Sequence, residues 1–141
     1  MLCRDIMKTK IECVTPTDAA SAAAAKMRDA NIGFLPVCDG AGKVVGVVTD
    51  RDIAIRLVAE QRSFTLPVSE IMTREVVFCR PDDDLEEAKK QMAERRKSRV
   101  VCLDDQDTLV GVISLSDLIG YDEVGAARTM TEVSQREVHV H

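Results

Sequence analysis

The apolar positions fall into short runs separated by turn formers, and the same order of runs occurs twice. Ile11–Val14 and Val76–Cys79 read as short strands, each followed by a proline (Pro16, Pro81) that cannot donate inside a paired strand. A helix is predicted next, over Asp18–Ala30 and Leu85–Arg95; in the second copy Leu85, Ala88 and Met92 recur at helical spacing. Phe34–Cys38 and Val100–Leu103 are predicted as strands, Asp39–Gly42 and Asp104–Asp107 as hairpin turns, and Val44–Val48 and Leu109–Ile113 as the returning strands. A second helix begins near Asp50 and Ser116. The pattern is β-α-β-β-α, twice.

The two copies are related by a constant offset of 65 residues. Ile6-Met7 returns as Ile71-Met72, Pro16 as Pro81, Ala23 as Ala88, Met27 as Met92 and Asp39 as Asp104. Val45-Gly46-Val47 returns as Val110-Gly111-Val112, and Asp52 as Asp117, without a gap. Such a register marks a tandem duplication. The repeats are drawn at 3–62 and 70–125, with 63–69 as connector and 126–141 as a C-terminal tail; the residues after Gly120 have weak helical character around Asp122–Thr129 and then a polar end. One copy alone buries little surface, so both are expected to pack sheet to sheet around one shared core, giving an α/β (α+β) fold.

Composition narrows the function classes. The chain has 141 residues, 45% of them hydrophobic and 3% aromatic with no Trp, so its core must be aliphatic. No apolar run is long enough to span a bilayer, and Met1–Met7 is too charged for a signal peptide. A soluble, cytoplasmic protein is the expectation, with no membrane partner. The net charge of −5 argues against a nucleic-acid binder. Five cysteines, without any CxxC spacing, suggest neither a disulfide framework nor a zinc site.

The strongest local signal is duplicated where the returning strand meets the second helix. Gly46-Val47-Val48-Thr49-Asp50-Arg51-Asp52 and Gly111-Val112-Ile113-Ser114-Leu115-Ser116-Asp117 share the form Gly-apolar-apolar-Ser/Thr-x-x-Asp. Thr49 or Ser114 at an N-cap, with an acid three residues on, makes a capping box. The same groups suit a nucleotide: the hydroxyl and helix N-terminus attract phosphate, and the carboxylate accepts from ribose hydroxyls. Spacing alone leaves both readings open.

The whole arrangement resembles a CBS-domain pair, or Bateman module. The likeness spans about residues 3–120 and rests on Asp5-Ile6-Met7 and Glu70-Ile71-Met72, the prolines, Leu35-Pro36-Val37 and both Gly…Asp motifs. It implies a stand-alone regulatory module that binds an adenosine-containing ligand (AMP, ADP or ATP, with S-adenosylmethionine or NAD as further members) in the cleft between repeats and signals to an effector protein by conformational change. It further implies that Asp52 and Asp117 meet ribose, that Thr49 and Ser114 lie near ribose and phosphate, and that the base rests near Met7, Ile11, Gly33, Phe34 and Leu35. An Arg at the start of the partner repeat's second strand reaches the phosphates. Arg99 fills that position for Thr49 and Asp52, with Arg51 as a further charge, whereas Ser114 and Asp117 are offered Phe34. The first motif is therefore the expected nucleotide site. Family modules also pair into a four-repeat disk, and Ile53, Ile55, Leu57, Val58, Leu118 and Ile119 supply apolar surface for a homodimer.

No catalytic group is expected: there is no His-centred triad, and the cysteines lack a base partner. No metal or cofactor is required, since His139 and His141 alone cannot complete a site. Arg95, Arg96 and Lys97 complement the end of a helix that begins with acids. A reversible Cys13–Cys38 disulfide is a minor possibility beside the reading of both as small buried apolar groups. The alternative to a ligand sensor is an interaction module of the same fold whose clefts hold nothing.

Overall fold

The computed structural model describes the backbone of residues 1–119 and 123–140, and the side chains of 1–119 and 127–135. The first copy contains α1 (Ala20–Ala30), β1 (Phe34–Cys38), β2 (Val44–Thr49) and α2 (Asp50–Asp52), which runs on as π-helical turns over Ile53–Val58. The second contains β3 (Phe78–Cys79), α3 (Leu85–Arg95), β4 (Arg99–Leu103), β5 (Leu109–Ser114) and α4 (Leu115–Ile119), followed by α5 (Glu123–Val140). A 3-10 turn opens each copy, at Cys3–Asp5 and Val68–Glu70.

Both hairpins form as predicted. β1 pairs antiparallel with β2 from Phe34↔Thr49 to Val37↔Gly46, and β4 with β5 from Arg99↔Ser114 to Cys102↔Gly111. Their turns are closed by an aspartate: Asp39 Oδ1 accepts from the N–H groups of Ala41 (2.9 Å) and Lys43 (3.0 Å), and Asp104 Oδ1 from Gln106 and Thr108 (both 2.9 Å).

The first strand of each copy is shorter than predicted, and the copies differ. Phe78–Cys79 pairs in parallel with Val101–Cys102, whereas Val14 makes only an isolated bridge to Val37. Pro36 explains the difference. Its counterpart Val101 donates its N–H to Val77 O at 3.1 Å; a proline at that position has no N–H to give.

The chain divides into two compact units, 12–76 and 1–11 with 77–141. The units are not the sequence repeats, because the lead-in segment of each copy has changed places. Met1–Ile11 belongs with the second copy: Cys3 N–H donates to Asp83 O and Leu85 N–H to Met1 O, both at 2.9 Å. Residues 63–76 belong with the first: Ala20 N–H donates to Leu66 O (2.7 Å) and Val68 N–H to Asp18 O (2.8 Å). The segment 63–69, expected to be a connector, is thus part of a folded unit, with Val68 fully buried.

Buried side chains form a cluster in each unit. Val14, Ala23, Leu35, Val37, Val48, Leu57 and Ile71 belong to one; Cys3, Ala88, Met92, Val100, Ile113 and Leu118 to the other. Leu57 and Leu118 therefore serve internal packing, which removes them from the apolar surface expected for pairing. Ile53 also packs against its own cluster, while Ile55, Val58 and Ile119 are exposed.

The tail departs from expectation. Helix α5 extends to Val140, with Thr129 buried and Val133 packed against the cluster of its unit, which accounts for order in a polar segment. Asp122, His141 and the side chain of His139 lie outside the described residues. All five cysteines are free thiols. Among the described residues no helix is long and apolar enough to cross a membrane.

Candidate functional site

Each motif begins as backbone geometry. Thr49 leaves β2 in extended conformation, and its hydroxyl accepts the Asp52 N–H at 3.1 Å while Asp52 Oδ2 accepts the Thr49 N–H at 3.0 Å. Ser114 and Asp117 repeat this at 3.4 and 2.8 Å. Both are closed capping boxes, so the structural half of the sequence reading holds for both motifs.

The glycine that opens each motif has a steric role. A Cβ on Gly46 would lie 2.9 Å from both Met72 Sδ and Thr73 O; one on Gly111 would lie 2.5 Å from Met7 Sδ. The missing side chain lets a lead-in segment lie across the strand. Two backbone hydrogen bonds then pin the next residue: Thr73 exchanges bonds with Val47 (2.8 and 2.9 Å), and Lys8 with Val112 (2.9 and 3.0 Å).

This pinning brings a residue to each motif carboxylate that sequence reasoning missed. In the unit 12–76, the Thr73 hydroxyl donates to Asp52 at 3.2 Å to Oδ1 and 3.3 Å to Oδ2. The Arg56 guanidinium stands 3.7 Å from Asp52 Oδ1 and donates to the carbonyls of Met72 (2.9 Å) and Ile71 (3.2 Å). In the other unit, Lys8 Nζ forms an ion pair with Asp117 Oδ1 at 3.2 Å. Lys8 and Thr73 directly follow the repeated Ile-Met pair, so the offset of 65 already relates them. What the sequence does not reveal is that each crosses to the other copy's motif. Two oxygens on each carboxylate provide about four acceptor directions, which leaves room for a ligand hydroxyl.

The remaining expected site residues divide between the units. Thr49, Arg51, Asp52, Gly33, Phe34 and Leu35 belong to 12–76; Met7, Ile11, Arg99, Ser114 and Asp117 belong to the other. Leu35 is fully buried in its cluster. Met7 is half-buried over Gly111. Phe34 lies opposite Thr49, and Arg99 opposite Ser114, each at the mouth of its own hairpin. Directly opposed residues share a face of an antiparallel pair, so Arg99 lies on the same face as Ser114. Gly33 accepts Asp50 N–H at 3.0 Å, and the Asp50 carboxylate occupies the space of a Cβ there, 2.5 Å from its ideal position.

Cysteines in each unit sit together. Cys79 and Cys102 are register partners with sulfurs 3.3 Å apart, and this contact with burial pushes the Cys79 thiol up to about 12. Burial, then the neighbouring Cys13, pushes Cys38 up to about 12. Hydrogen bonding to Cys79 and burial raise Cys3 as well. Such thiols resist ionisation and are poor nucleophiles.

Comparison with known proteins places this geometry in a family. The CBS domain model matches residues 3–59 and 68–123. The CBS domain-containing protein YhcV of Bacillus subtilis is 36% identical over 140 residues, covering 96% of this chain and 97% of that protein. A solved structure described as a putative signal-transduction protein with CBS domains from Burkholderia ambifaria is 36% identical, with TM-score 0.70, covering 79% of this chain and 81% of that one. The CBS domain pair of protein MJ0100, solved in complex with 5′-methylthioadenosine and S-adenosyl-L-methionine, is 29% identical with TM-score 0.75, covering 84% of this chain and 92% of that one. With two matched repeats, exchanged lead-in segments and paired hydroxyl–carboxylate motifs, the chain belongs to the CBS domain family as a tandem pair.

Proposed function

We propose that the protein is a regulatory module that binds an adenosine-containing ligand and passes the binding to a partner protein as a change of conformation. The observation that carries this reading is the duplicated hydroxyl–carboxylate pair, Thr49 with Asp52 and Ser114 with Asp117; Thr49, Ser114 and Asp117 are partly exposed, whereas Asp52 is buried. A carboxylate held by a cap is oriented before a ligand arrives, so accepting from ribose hydroxyls needs no rearrangement. The adenosine compounds held by the MJ0100 pair support the same ligand class. AMP, ADP and ATP are the leading candidates, then S-adenosylmethionine and NAD, with Arg99 as a phosphate-binding group. Coupling requires different affinities of the ligand for two conformations.

A second reading is favoured by one observation: both capping boxes are closed by the chain's own atoms. In it, the motifs are only structural and the module works by protein interaction. Thermal shift with the five compounds, on wild type and on Asp52→Ala and Asp117→Ala, separates the two. The sensing reading expects a saturable rise in Tm for wild type that the variants reduce. Lowered variant stability without any ligand effect on wild type selects the interaction module. The exposed Ile55 and Val58 near the end of the first copy are proposed as part of a homodimer contact.

A further inference from the structure

Although the two motifs share a backbone, they differ in the charge that faces them. Lys8 is the clearest difference. Its backbone is fixed to Val112 on both sides, its side chain is 70% exposed, and its ammonium lies 3.2 Å from an Asp117 that is 12% exposed. An ammonium has three N–H donors, so the pair neutralises Asp117 and leaves donors directed to solvent. Ser114 and Ser116 hydroxyls stand 2.8 Å apart in the same motif, and Arg99 begins the strand opposite Ser114.

The counterpart positions in the unit 12–76 lack this character. Thr73 replaces Lys8, Phe34 replaces Arg99, and Asp50 replaces Leu115. The Asp50 carboxylate stands over Gly33, beside the strand start where Phe34 faces Thr49. Arg51 and Arg56 match Asp50 and Asp52 in formal charge, but Arg56 is engaged with the carbonyls of Ile71 and Met72. A phosphate near this motif meets the Asp50 carboxylate beside the Arg51 guanidinium; near Ser114 and Asp117 it meets the Lys8 ammonium, with Leu115 and Ser116 where Asp50 and Arg51 stand.

We infer that a phosphate-bearing ligand is taken by the unit holding Ser114 and Asp117, with Lys8 as the residue that determines this specificity, whereas the Thr49–Asp52 unit takes uncharged adenosine compounds. The inference rests on the adenosine reading above, and it reverses the order of the motifs expected from sequence. Lys8 donates to a phosphate oxygen while retaining Asp117 as its neighbour.

The test is calorimetric titration of the full chain with AMP and with adenosine, at low ionic strength, for wild type, Lys8→Thr and Lys8→Arg. Thermal melts confirm that the variants fold. Wild type is expected to prefer AMP by about tenfold or more, as for a hydrogen bond to a charged group. Lys8→Thr is expected to abolish that preference while adenosine binding stays within about twofold, and Lys8→Arg to keep it. An AMP-to-adenosine ratio unchanged in Lys8→Thr overturns the inference, as does an equal loss for both ligands, which marks a merely structural lysine. If wild type binds neither compound, the adenosine reading itself fails and this assignment goes with it.

Discussion

The Sδ of Met7 lies 2.5 Å from the place where a side chain on Gly111 would begin, and that proximity positions the second motif. Met72 and Gly46 repeat the relationship, with the Thr73 carbonyl as an additional obstacle at 2.9 Å. Gly46→Ala and Gly111→Ala are therefore expected to lose about 1–3 kcal/mol by overpacking, and to displace the lead-in residue from its carboxylate. Urea unfolding measures the loss. Gly40→Ala is the internal control: nothing stands within 4 Å of its Cβ position, so a change within about 0.5 kcal/mol is expected.

Helices α1 and α3 both end on a left-handed residue, Asn31 and Arg96, each with φ of 54°. Asparagine tolerates that region; arginine carries a steric cost there. Arg96→Gly is expected to stabilise the protein by about 1 kcal/mol, read from the midpoint of denaturant unfolding. Asn31→Gly should gain less.

The thiols give a pH dependence whose sign follows from their burial. Cys38 and Cys79 are raised from 9.0 to about 12, so between those values the folded protein keeps protons that the unfolded chain releases. Stability is fully present below about pH 9 and is lost as pH rises toward 12. Near pH 10.5 the loss should be on the order of 1–2 kcal/mol per thiol, at about 1.4 kcal/mol per pK unit. Urea unfolding at pH 8 and 10.5 checks this, with the Cys38→Ala/Cys79→Ala double variant expected to show the shallower fall.

Val58 is 66% and Ile55 46% exposed on one helical segment, an apolar pair proposed above as part of a homodimer contact. Sedimentation of wild type is expected to give a dimer, and Val58→Glu to shift it toward monomer by burying an unpaired charge. A wild-type monomer at high micromolar concentration removes the dimer from the account.

Local patterns were legible in the sequence; exchanges between distant segments were not. The two hairpins, the places of their turns and the span of α3 follow from periodicity and turn chemistry, which act over a few residues. The lead-in exchange was hidden because Met7 and Met72 look alike in either copy, and nothing local says which glycine each will cover. Pro36 was read as part of a strand, yet its missing N–H reduces the neighbouring strand to a single bridge at Val14. The extent of α5 depends on Thr129 and Val133 packing within their unit, a tertiary effect that polar composition conceals. The motif residues were found; their partners Thr73, Arg56 and Lys8 came only with the fold.

In the proposed function the motif carboxylates serve a ligand as well as a cap. Calorimetric titration of AMP into wild type and the Asp52→Asn/Asp117→Asn double variant is the test, because the asparagine amide oxygen can still accept the N–H of Thr49 or Ser114 but no longer offers a charged acceptor to ribose. Saturable binding to wild type is expected, with at least a tenfold loss in a double variant that remains folded by circular dichroism. Equal binding by both proteins, or no binding by wild type, would contradict that reading.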